Sequence, residues 1–167
     1  MKKLLALTLA CMMLLGLCTT AFATEAQYAS TKAFLALMDE KGISYSVEGL
    51  DSNGNEMVSI DNADSDINYS YTIRYFFDDG GENCSLRVWN IITFADADFA
   101  KVLRTVNSLN CKYKYVRFTV DESDNTVTAA IDTIFRTHDI DEIIWEATLY
   151  VVDIIEAGYP DLVVYDQ

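Results

Sequence analysis

A helix whose apolar residues recur every three to four positions, framed by strand-like runs, constrains this chain more than any other feature. Phe99, Val102, Leu103, Val106 and Leu109 fall at helical spacing within residues 95–109, so one stripe of that helix must be buried. Residues 84–93 before it read as a strand. After it come a strand over 113–120, an Asp-rich turn over 121–125 and a strand over 126–132. Thr93, with Asp96 three residues on, approximates a capping box whose acid suits the positive end of the helix. A strand–helix–strand–strand unit of this kind folds as a helical layer against a sheet.

The flanking segments complete that layer. Ser30 or Thr31 is placed to cap a first helix carrying Phe34, Leu37 and Met38 on one side and ending at Gly42. Strands follow over 44–48 and 56–61, separated by Asp51-Ser52-Asn53-Gly54, whose Asn-Gly step signals a hairpin. The clearest alternation comes next: Tyr69, Tyr71, Ile73, Tyr75 and Phe77 point one way, Asn68, Ser70, Thr72 and Arg74 the other. Asp78-Asp79-Gly80-Gly81 turns the chain back. A last helix is predicted over 139–157, with Ile140, Ile143, Ile144, Ala147, Val151, Ile154 and Ile155 on its apolar stripe. Asp139 with Glu142 is placed to cap it, and Gly158 and Pro160 to stop it. The expectation is one α+β domain with an antiparallel sheet and elements in the order α-β-β-β-β-α-β-β-α.

The first residues belong to a different kind of segment. Met1-Lys2-Lys3 is basic, residues 4–17 are apolar, and Ala21-Phe22-Ala23 fits a small-x-small cleavage site. The apolar run is shorter than the roughly 20 residues that span a bilayer. Residues 1–23 therefore read as a signal peptide cleaved after Ala23, residues 24–167 as the exported domain, with no membrane association after cleavage. Removing Lys2 and Lys3 takes the net charge from −14 to −16, ten basic residues against 26 acidic ones. A field of that sign repels nucleic acid and anionic lipid.

Cleavage also removes Cys11 and Cys18 and leaves Cys84 and Cys111 in an oxidising compartment. A strand rising about 3.3 Å per residue from Cys84 and a helix returning at about 1.5 Å per residue cover similar lengths. Cys111 is thus expected near the sheet end from which Cys84 departs. The pair is a candidate disulfide, contributing about 3 kcal/mol if formed; two independent free thiols are the alternative.

Val106-Asn107-Ser108-Leu109-Asn110, the strand Tyr115-Val116-Arg117-Phe118, the Asp-rich turn, and the ending from Asp153 to Tyr159-Pro160 with Leu162 resemble the YbjN-domain family. That family is assigned to bacterial sensory transduction regulation and shares its fold with type III secretion chaperones. The resemblance covers residues 86–165. It implies a chaperone-like, non-catalytic binding domain. The chain differs from the family in beginning with an export signal.

The residues themselves offer little chemistry. His138 has no nucleophile or orienting partner in its local sequence. Cys84, Cys111 and His138 lack paired zinc spacing. The acidic stretch 61–66 fails as an EF-hand: Ala63 takes the third ligand position, Asp66 the turn glycine, and Thr72 the place of the bidentate glutamate. No catalytic residue, metal or cofactor is expected.

Five basic residues gather between Lys101 and Arg117, namely Lys101, Arg104, Lys112, Lys114 and Arg117, accompanied by Tyr113, Tyr115 and Phe118. If Val116, Phe118 and Val120 face the helices, Tyr113, Tyr115 and Arg117 share the opposite sheet face. Trp89 and Ile91 join them if Leu86, Val88 and Ile92 point to the core. Aromatic and arginine surfaces of this kind favour protein contact, unless a helix covers the face. The expected function is therefore a secreted, non-catalytic binding or chaperone-like domain whose partner is a protein or peptide, a second copy included. A secreted hydrolase built from dispersed carboxylates, or an acidic inhibitor or decoy of a cationic partner, are the alternatives.

Overall fold

Alternation decides the sheet. The computed structural model describes residues 25–62, 69–135 and 139–167, the side chains of Asn62 and Asp141 excepted. The expected signal segment 1–23, residues 63–66 of the acidic stretch and His138 lie outside the described residues. The elements are α1 (Ala29–Lys41), β1 (Ser46–Leu50), β2 (Glu56–Asn62), β3 (Tyr71–Phe77), β4 (Asn83–Thr93), α2 (Phe99–Lys112), β5 (Arg117–Asp121), β6 (Thr126–Ile134) and α3 (Ile140–Leu162). Six antiparallel strands form one sheet in the order β1-β2-β3-β4-β6-β5. The α+β class and element order are as the sequence implied.

In β3 the period-two pattern is complete: Tyr71, Ile73, Tyr75 and Phe77 are buried and the residues between them are not. Phe34 of α1 packs its ring on Tyr75 and Phe77, with centroids 4.8 and 5.6 Å away. The central helix α3 contacts α1, α2, β4 and β6, and α2 lies against β5. Its stripe of Ile144, Ala147, Val151 and Ile155 is buried, as are Val102, Val106 and Leu109 of α2. Thr148 of α3 shares a buried hydrogen bond of 3.0 Å with the Tyr75 hydroxyl. All three helices thus lie on one face of the sheet. Leu103, expected on the buried stripe of α2, is 43% exposed, so that stripe is narrower than its spacing suggested.

Helix ends depart most from expectation. Ser30 and Thr31 do not cap α1; both are buried in its first turn with hydroxyls that find no partner. The lead-in to the helix is instead tied down from across the chain: buried Glu56 accepts the Gln27 and Tyr28 backbone N–H groups, just ahead of the first turn, at 2.6 and 2.9 Å. Gly42 does end α1, in the left-handed conformation. The Thr93–Asp96 box is not formed, since a short 3₁₀ turn (Asp96–Asp98) precedes α2 and the Asp96 carboxylate accepts from the Asn125 amide instead. Asp139 stands at the start of α3 without a side-chain cap.

Gly158 and Pro160 do not stop α3, which runs on to Leu162. Burial of Leu162 and stacking of Tyr159 on Tyr69, 4.5 Å between centroids, hold the last turn despite the proline. Gly158 serves packing: a Cβ there would come 3.1 Å from Phe118 Cζ and 3.5 Å from the Leu109 methyls.

Cys84 and Cys111 are free and apart. Cys84 faces the core and burial pushes its thiol pKa up, whereas Cys111 is exposed near the end of α2. The helix does return along the strand axis, but above β5, two strands over from β4. That lateral step, about 10 Å at 4.8 Å per strand, exceeds the reach of a disulfide.

Candidate protein-binding face

With the helices on one side, the other face of the sheet is uncovered among the described residues. Its outward positions follow from the register. Ser59, Arg74, Arg87, Ala130 and Arg117 stand opposite one another on β2, β3, β4, β6 and β5, so three arginines lie in one cross-strand row. Arg74 and Arg87 are direct cross-strand neighbours, a like-charge pairing that weakens a sheet.

Only a few acids offset that row. Arg87 donates to Asp132 Oδ1 at 2.6 Å and to the Leu86 and Ile131 carbonyls at 2.9 and 3.2 Å. Asp132 also accepts from the Ser85 hydroxyl at 2.6 Å, and its Oδ2 lies 3.5 Å from Arg117. The Ser85 bond, then the Arg87 guanidinium, hold its carboxyl below the usual range against the opposing effect of partial burial. Arg74 pairs at 3.9 Å with Glu48 and lies over the Trp89 ring, 5.0 Å from its centroid. Trp89, 44% exposed, meets Phe76 edge-on at 5.7 Å.

Two of the five residues expected on this face reach it, Trp89 and Arg117. Ile91 does not: Asn90 adopts a left-handed conformation (φ 54) and the β4–β6 register shifts between Val88 and Ile92. This bulge breaks the alternation and turns both Ile91 and Ile92 into the core. Tyr113 and Tyr115 precede β5, which begins at Arg117 rather than at 113. Tyr113 packs at the margin of the core under Lys112, and Tyr115 lies against Tyr150 of α3, 5.0 Å between centroids. Of the five clustered basic residues, Lys101 and Arg104 sit on α2, Lys112 and Lys114 at or just after its end, and only Arg117 joins the row.

Arg74 and Arg87 were not singled out in the sequence. Their alternation with buried neighbours gave the face, but only the strand register brings them beside Arg117. An open groove of about 590 Å³ runs beside the row, with Ala130 and Thr128 of β6 on its floor between Trp89 and Arg87 on one side and Arg117 and Thr119 on the other. A smaller hollow of about 260 Å³ adjoins Trp89, Phe76 and the Asp51–Asn55 turn.

Among the described residues no three His, Cys, Asp or Glu side chains gather to hold a metal ion, and no helix is long and apolar enough to cross a membrane. No protein-family model matches the chain, and no curated protein matches it.

Proposed function

We propose that this chain is a non-catalytic, exported binding domain of the YbjN or secretion-chaperone type, which holds a protein or peptide on the outward face of its sheet. One observation carries the reading: the Arg74–Arg87–Arg117 row, with Trp89 beside it, stands uncovered in a chain of net charge −14. Opposing two arginines across adjacent strands costs stability, and local rules of this kind are broken chiefly where function requires it. Tryptophan and arginine are also the residues that most often dominate binding energy at protein interfaces.

The test is site-specific photo-cross-linking. A benzophenone amino acid replaces Trp89 in one sample and Asp153, exposed on α3, in another, and both are irradiated where the protein is made and exported. Position 89 is expected to give a discrete polypeptide adduct, to a second copy or to another chain, that position 153 does not. No adduct at 89, or equal adducts at both positions, overturns the reading.

A further inference from the structure

We infer that the groove along β6 is a track for an extended polypeptide segment bearing a carboxylate at one end and a basic side chain at the other, about four residues apart. The inference rests on the reading above and names the partner's chemistry. The track exists because the outward side chains of β6 are short. Thr128 and Ala130 lie low between Arg87 and Trp89 of β4 and Arg117 and Thr119 of β5.

Its two ends carry opposite charge. At one end two guanidiniums share the single carboxylate of Asp132, and Arg117 is held only loosely, at 3.5 Å. At the other end Asp121 and Glu122 line the groove with no basic residue among its walls there. Asp121 lies four residues beyond Arg117 on the same strand, about 13 Å at the rise of a β-strand. An extended partner matches that separation with residues i and i+4. A wholly acidic segment would meet Asp121 and Glu122, and a wholly basic one would meet the arginines.

The middle of the adjacent edge is already taken up. The Asn110 side chain donates to the Phe118 carbonyl and accepts from its N–H, both at 2.8 Å, occupying backbone groups of edge strand β5. A partner reading side chains on the face needs none of these groups, whereas a further strand would have to displace Asn110.

Three capped pentapeptides test the inference by NMR titration of the full exported domain. One has glutamate first and lysine last, one glutamate at both ends, and one glutamine at both ends, with serine and valine between. The mixed peptide is expected to shift amides of β4, β5 and β6 and to bind at least about fivefold more tightly than either other, which lacks the matching charge at one end or at both. Arg117→Gln and Glu122→Gln, both at exposed positions, should each remove most of that preference, and added salt should weaken it. Equal affinity for all three peptides, preference for the doubly acidic one, or shifts on the helical side overturn the inference. A cross-link at position 89 to a protein, or to a second copy, together with no mixed-peptide preference would leave the binding-face reading standing and defeat this one alone.

Discussion

A fully buried carboxylate needs partners, and Glu56 finds them in the two backbone N–H groups that enter α1. It ties the entry of the first helix to the start of β2, whereas Ser30 and Thr31 lie inside the first turn, past the Tyr28 N-cap position, and cap nothing. Glu56→Ala should lower stability by about 2 kcal/mol, the scale of two backbone donors left without their acceptor. Hydrogen exchange should show protection lost first across residues 29–41; unchanged exchange there would remove Glu56 from the role. The thiols give a second check. Cys111 should react with a thiol reagent in the native protein and Cys84 only after denaturation, because one is exposed and the other buried. No reactive thiol in the native, unreduced protein, with two appearing after reduction, would restore the bridge.

At the scale of elements, strands and helices are fastened by single side chains placed where two of them meet. Asn110, at the end of α2, imitates a neighbouring strand for β5 by pairing with both backbone groups of Phe118. Asn110→Ala should cost about 1–2 kcal/mol and, by opening an edge, promote concentration-dependent aggregation. Light scattering alongside a urea melt would measure both. Gly158 lets α3 approach Phe118 and Leu109 closely. Gly158→Ala should be close to neutral, the helix propensity gained offsetting a tight contact. Gly158→Leu should destabilise by about 1–3 kcal/mol through overpacking; a stable Leu variant would show that these elements can move apart.

Across the whole molecule, three of the four connections between sequential antiparallel strands, those after β1, β3 and β5, begin with the same device. Asp51, Asp78 and Asp121 accept N–H or hydroxyl hydrogen bonds from residues two to five positions on. Each carboxyl is held below its usual range: Asp51 chiefly by the Asn55 amide, Asp78 by Asn83 despite partial burial, and Asp121 by the Ser123 hydroxyl. A carboxyl with a depressed folded pKa contributes stability that is complete above the unfolded value of about 3.9 and disappears as pH falls through the folded one. Acid also relieves the self-repulsion of a chain at −14, so the comparison must be between variants. Asp78→Asn should melt below the wild type at neutral pH, with the gap narrowing as pH falls below about 3.9 and through the depressed folded value. A gap constant with pH would mean that the charge of Asp78 is not what holds its turn.

The sequence by itself determined what depends on period and local turn chemistry. The alternation of Tyr71–Phe77, the Asn53-Gly54 turn, the stop at Gly42 and the stripe of α3 from Ile140 to Ile155 are written in neighbouring residues, because side-chain direction repeats every 2 or 3.6 positions. What joins distant segments was settled only in the tertiary structure. Glu56 reaches back to α1, the bulge at Asn90 turns Ile91 inward, and α2 returns over β5 rather than β4. Register aligns Arg74 and Arg87 with Arg117. Each of these depends on where one strand stops against another, and a shift by one residue would have sent every one of those side chains to the other face.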